Sequence, residues 1–238
     1  MKFFDLHVKT KFSNGESSVE EMIEFAEKLG YHGVAVCDNF ESLEKLKQAK
    51  EEINGISSSV EVYPGAHLEA KDVNDLNQMI NKVRNEVLVL VVHGGDYKIN
   101  RAACENSKVD ILAHPELGRL DSGLDEVCLN SAKENNVAIE INFNEVLFSY
   151  RKPRSYILNH VSKNIKLCDA YKVPIVLASG AKSKWEMRDP RQIISVGNIL
   201  GLELGKAFLS MTSVPQTIVE NNKKVLLGKL PTSGVEVM

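Results

Sequence analysis

Short apolar runs alternate with amphipathic stretches along most of the chain. The first run, over residues 3–8, sets apolar side chains against Asp5 and His7. On a regular strand Asp5, His7 and Lys9 would share one face, and Leu6 and Val8 the other. Ser17 and Ser18, followed by Glu20 and Glu21, then predict a capped helix whose apolar stripe is Met22, Phe25, Ala26 and Leu29, closed by Gly30. Residues 33–37 are a buried strand. The alternation continues with strands predicted over 60–69, 87–92, 109–113, 137–141 and 173–178, Pro64 and Gly65 interrupting or bulging the first of these. Helices are predicted over 43–53, 73–84, a stretch through Cys104, 124–132, 157–171, 193–200 and a segment after Val214.

Apolar strands of four to eight residues separated by helices predict a parallel sheet buried on both faces, because parallel strands need crossover connections. Seven such units predict an α/β protein with a TIM-like (β/α) barrel, distorted or incomplete, carrying extra C-terminal helices and no eighth strand. Nothing resembling a linker breaks the pattern, so a single domain is expected over 1–238.

Composition narrows the function classes. The chain is 43% hydrophobic and 26% charged with a net charge of -3, so no general basic field marks it as a nucleic-acid binder, and any polyanion must meet a local patch. Its four cysteines, Cys37, Cys104, Cys128 and Cys168, lack C-x-x-C spacing, which argues against a thiolate zinc site or a disulfide framework. With no secretory pattern and no long apolar stretch, a cytoplasmic protein is expected.

In a barrel, the C-terminal strand ends carry the site. Here they gather Asp5, His7 and Lys9; Asp38; His67 and Glu69; His93; His114 and Glu116; Glu140, Asn142 and Asn144; and Ser179 and Lys182. His32 and His160 fall outside this rim and read as surface residues. A ring of imidazoles and carboxylates can hold a divalent cation and activate water, whereas strand-end polar groups also serve simply as hydrogen-bonding caps. Gly94 and Gly95 read as a turn, and Ser179 lacks a nucleophile-elbow context, so neither is given a catalytic role.

The run Asp5, Leu6, His7, Val8, Lys9, Thr10 resembles the opening D-L-H-x-H-T strand of the polymerase and histidinol phosphatase (PHP) superfamily, and His114 with Pro115 and Glu140 are similar to later parts of that pattern. Within the superfamily, the ordered stretches 3–10, 33–39, 63–69, 89–95, 110–116, 138–144 and 178–182 resemble the ribonuclease P protein component 3 family, in its archaeal form. Two departures matter. Lys9 stands where the second histidine of H-x-H would be, and residues 179–182 replace a D-x-H pair. An ammonium beside Asp5 and His7 opposes cation binding, so the expected mouth is a vestigial site of Asp5, His7, Lys9, His93, His114, Glu140 and Lys182, with no metal and no catalytic residue. Lys9 and Lys182 would contact phosphate or pair with Asp5, Glu69 or Glu140.

The resemblance implies a scaffold subunit of ribonuclease P, which removes the 5′ leader from precursor tRNA. The expected partners are ribonuclease P RNA, whose chemistry uses Mg²⁺, ribonuclease P protein component 2 in a heterodimer or heterotetramer, and other ribonuclease P proteins, with no cofactor on this chain. The alternative is a free-standing metal-dependent phosphoesterase using Asp5, His7, His93, His114 and Glu140. RNA contacts are expected from an Arg151, Lys152, Arg154 loop with Lys163 and Lys166 on the helix that follows, and from Lys182, Lys184, Arg188 and Arg191, where Trp185 offers a stacking surface. Lys98 with Arg101 is a third, smaller cluster.

Overall fold

The computed structural model describes residues 1–228. Seven strands, all parallel and paired in chain order, form one sheet: β1 (Phe4–Val8), β2 (Gly33–Asp38), β3 (Glu61–Leu68), β4 (Val89–His93), β5 (Ile111–Ala113), β6 (Ala138–Asn142) and β7 (Ile175–Ala178). Helices α1 (Val19–Lys28), α2 (Leu43–Gly55), α3 (Val73–Val83), α4 (Tyr97–Cys104) and α5 (Glu126–Glu134) follow the first five strands. A short α6 (Phe143–Phe148) and a long α7 (Arg151–Tyr171) follow β6, and α8 (Pro190–Ile199), α9 (Leu204–Leu209) and α10 (Ser213–Leu226) follow β7. The sheet curls into a nearly closed barrel. The single-domain expectation over 1–238 includes residues 229–238, which lie outside the described ones.

Local chemistry explains the helix starts. Ser18 and Glu21 form a reciprocal capping box on α1, and Asp72, Asp96 and Asp125 accept backbone N–H groups at the starts of α3, α4 and α5. Two apolar layers result. Phe4, Leu6, Ala35, Cys37, Val89, Val91, Ile111 and Val176 fill the barrel interior, while residues of the opposite parity, such as Val34, Val36, Leu90, Leu112 and Leu177, pack outward against the helices.

Three expectations are corrected. β3 runs unbroken through Pro64 and Gly65, each in register with β2 (Val36 opposite Pro64, Cys37 opposite Gly65). Gly65 is there because a Cβ would overlap the Cys37 sulfur. The long helix begins at Arg151, so Arg151, Lys152 and Arg154 occupy the first turn of α7 and are not a loop.

The third correction concerns β1. Its register against β2 shifts between Asp5, opposite Val34, and Val8, opposite Val36. The extra residue is a bulge, a device that re-aims side chains beside functional sites. Phe4 and Leu6 belong to the interior layer and Val8 to the outer one, yet His7 also points inward, onto the rings of His67 and His114. Asp5 therefore does not share a face with His7; its carboxylate turns to the seam between β1 and β7.

That seam has no eighth strand among the described residues. The Met211 carbonyl accepts from Phe4 N–H (2.9 Å) and the Ser210 carbonyl from Leu177 N–H (3.1 Å), while Ala181 C=O accepts from Lys9 N–H (2.8 Å) at the other end. The junction of α9 and α10 thus supplies acceptors that a strand would have provided.

Candidate functional site

Four histidines converge at the C-terminal end of the barrel. Neighbouring ring centroids lie 4.8 Å apart for His7 and His67, 5.2 Å for His67 and His93, and 5.0 Å for His93 and His114. They come from the ends of β1, β3 and β4 and the residue after β5, so parallel pairing in chain order places them side by side. His114 holds a left-handed backbone, φ 56°, which costs energy in a non-glycine residue and directs the chain out of β5.

Carboxylates hold several of these rings. His7 Nδ1 contacts both oxygens of Glu140 at 2.9 and 3.0 Å, and His114 Nδ1 lies 2.6 Å from Glu145. Glu69 reaches within 3.5 Å of His67 Nδ1 without the alignment of a hydrogen bond. His7 Nε2, both ring nitrogens of His67, His93 Nδ1 and His114 Nδ1 are buried with no aligned hydrogen-bond partner, the short His114–Glu145 contact included. Orphans of this kind are rare in folded proteins.

Burial governs the protonation of the group. It holds His67 well below the ordinary imidazole range and His93 down at about 4, with neighbouring imidazoles adding to the effect. For His114 burial acts in the same direction, but the carboxylates of Glu145, Glu140 and Glu116 together outweigh it and raise the pKa. Burial works against ionised Glu140 too, yet His7 brings it down to about 2. Burial lifts Asp5 to about 7 against the hydrogen bonds from Ser179, and it lifts Glu116, beside Glu145, to about 8.

Above the histidines lies a cavity of about 180 Å³ lined by His7, Lys9, Asn14, Glu69, His93, His114, Asn142, Asn144, Glu145 and Lys182, among others. Lys9 is 6% exposed, and its ammonium sits 3.7 Å from Glu69, with burial lowering its pKa. Lys182 makes no ion pair among the described residues. Of the pairings expected for the two lysines, only Lys9 with Glu69 forms.

Of the seven residues expected at the vestigial mouth, His7, Lys9, His93, His114 and Lys182 line this cavity and Glu140 stands behind His7. Asp5 does not line it and lies in the seam. His67, Glu69 and Glu145 complete the group. His67 and Glu69 were legible as a strand end, whereas Glu145 sits on α6, a helix too short to leave a periodic signal. His32 and His160, read as surface residues, are half-buried; His32 Nε2 lies 3.2 Å from Glu61 and His160 stacks near Tyr156.

The expected RNA-contact residues lie outside the mouth, apart from Lys182. Arg151, Lys152, Lys163 and Lys166 are exposed along α7, with Arg151 over the Tyr150 ring and Lys152 over Tyr156. Residues 146–168 contain no Asp or Glu. Arg154, though exposed, donates to the carbonyls of Ser149 (2.7 Å) and Leu147 (3.3 Å), closing the C-terminal end of α6. Lys184 pairs with Glu21 at 2.8 Å, and Arg188 donates to the carbonyls of Trp185 and Met187. Arg191 is exposed over Phe3. Trp185 is 71% exposed, edge-on to Phe25. Among the described residues no helix is long and apolar enough to cross a membrane.

The model of the RNase P subunit p30 family matches residues 2–225. Ribonuclease P protein component 3 of Methanosarcina barkeri is 35% identical over 93% of this chain and 90% of its own length. That of Methanothermobacter thermautotrophicus is 34% identical over 96% and 94%. A cryo-EM structure of archaeal ribonuclease P with mature tRNA contains a similar chain, with a TM-score of 0.80 at 27% identity, covering 99% of this chain and 97% of that one.

Proposed function

Since the chain belongs to the RNase P subunit p30 family and is a protein subunit of ribonuclease P, we propose that it supports the catalytic RNA and performs no hydrolysis by itself. The family match from residue 2 to residue 225 carries this reading. In it, the RNA component and its Mg²⁺ remove the 5′ leader from precursor tRNA. The chain pairs with ribonuclease P protein component 2, and through that pair braces the RNA alongside the other ribonuclease P proteins.

The chemistry of the surface supports the role. Compacting a folded RNA brings phosphates together, and cationic side chains offset that repulsion in a salt-dependent way. Arg151, Lys152, Lys163 and Lys166 present an acid-free cationic stripe on α7, with Tyr150 and Tyr156 exposed beside it. Lys182, Lys184, Arg188 and Arg191 form the second contact region, of which only Lys184 is in an ion pair among the described residues, while Arg188 is held by backbone carbonyls. At the mouth, Lys9 lies among the inward-facing histidines, where a second metal of a hydrolytic pair would need a ligand.

The test is cleavage of a precursor tRNA at low Mg²⁺ by ribonuclease P RNA and protein component 2, with and without this chain. Stimulation requiring all three supports the subunit role. No stimulation, with Mn²⁺-dependent phosphoesterase activity of the chain alone, would replace it with the enzyme reading.

A further inference from the structure

We infer that the solvent face of α7 binds an unpaired stretch of RNA, stacking its bases on the Tyr156 and His160 rings while Lys152 and Lys163 meet its phosphates. The inference rests on the ribonuclease P subunit reading and names the form of RNA that this surface takes.

The sequence sets the face. Lys152, Tyr156, His160 and Lys163 recur at spacings of four, four and three residues, so they line one side of the helix, opposite the buried Val161, Asn164, Ile165 and Cys168. From Lys152 to Lys163 the stripe runs roughly 16 Å, the length of about four stacked nucleotides. Cations stand at its two ends and rings between them.

Three observations favour unpaired bases over other occupants. The first is the rings. Tyr156 is 48% exposed and Tyr150, just ahead of the helix, 66%. The rings of Tyr156 and the half-buried His160 lie 28° from parallel with centroids 6.4 Å apart, and so extend one stacking surface. An A-form duplex closes its base faces inside its own stack and gives these rings nothing to cover, whereas an unpaired base offers a whole π-face.

The second is charge. Residues 146–168 hold no Asp or Glu, and Asp121, on the neighbouring loop that Asn164 holds by the Ser122 carbonyl, is paired with Arg119 at 2.6 Å. RNA brings a phosphate with every base, which a face mixing cations and rings matches unit by unit. The third is placement. The Lys152 ammonium lies 5.8 Å from the centre of the Tyr156 ring, so a phosphate that it meets brings the attached base to that ring.

The test is binding of the full chain to a short labelled oligoadenylate, alone and paired with its oligouridylate complement, by fluorescence anisotropy across a salt series. The single strand should bind about 5-fold or more tightly than the duplex. Tyr156→Ala should weaken it by about 5-fold or more without altering the salt slope, and Tyr156→Phe should restore it. Lys163→Gln should lower the slope by about 0.7. Upfield shifts of the adenine protons, present with the native chain and Tyr156→Phe and lost with Tyr156→Ala, report the stack itself. Equal affinity for the two RNA forms, no binding at low salt, or native binding by Tyr156→Ala would overturn the inference. So would a Tyr156→Ala chain that keeps its RNA binding and loses protein component 2, which would assign the face to a protein. With any of these, the subunit role stands if the native chain still stimulates precursor-tRNA cleavage, and absence of that stimulation removes the role itself.

Discussion

The Asp5 carboxylate accepts the backbone N–H of Ser179 at 3.2 Å, joining β1 to the residue that follows β7. It also accepts the N–H of His7 at 3.3 Å, inside the bulge that turns the imidazole into the barrel. One side chain thus secures both the seam and the aim of the site. Asp5→Ala leaves two buried N–H groups without acceptors and should destabilise the fold by about 1–3 kcal/mol for each. Urea denaturation of the two proteins at pH 7 checks this.

The same carboxyl gives a pH dependence. Burial raises its pKa from the usual 3.8 to about 7, so between those values the folded state holds the proton more tightly than the unfolded chain does. Its contribution to stability is complete below about pH 4 and is lost as pH rises to about 7. Asp5→Asn keeps an acceptor oxygen and cannot ionise. Its stability relative to the native protein should therefore climb across this window and level off above it, as read from urea midpoints between pH 4 and 8.

Gly180 takes φ 62° beneath the Asn142 side-chain amide, which an added Cβ would overlap. Gly180→Ala should cost more than about 1 kcal/mol, through the left-handed backbone and the displaced amide together. A lowered thermal midpoint, with a changed chemical environment for Asn142, would be seen by calorimetry and amide NMR.

Neighbouring cations on α7 should behave differently. Replacing Arg151 and Lys152 by Gln should weaken binding to ribonuclease P RNA and reduce the slope of log K against log salt by roughly 1.4 to 1.8 if each meets one phosphate. Arg154→Gln should instead loosen the end of α6, whose carbonyls the guanidinium holds, lowering stability with little change in slope. Filter binding across a salt series, beside thermal melts, separates the two.

The architecture was legible because its signal is periodic. Apolar runs for strands buried on both faces and caps such as Ser18 and Glu21 recur along the chain, and the rim residues fall where parallel strands end. The parts that were not legible depend on long-range geometry. Strict alternation put Asp5 with His7, and only the pairing of β1 with β2 reveals the inserted residue that separates them. Pro64 suggested a break in β3, yet neighbours on both sides hold the strand in register. Glu145 reached the site on a helix of six residues, and Arg154 looked like a free cation until the carbonyls it meets were in place.

The Met211 carbonyl that completes β1 has a consequence for biosynthesis. Phe4 is made first, and its N–H finds that acceptor only after roughly two hundred further residues, a loop whose closure is entropically slow. Until α9 and α10 emerge from the ribosome, the nascent chain holds an open sheet with two unsatisfied borders, exposed to pairing with a neighbouring copy. Chains truncated before Ser210 should therefore collect in aggregates during translation.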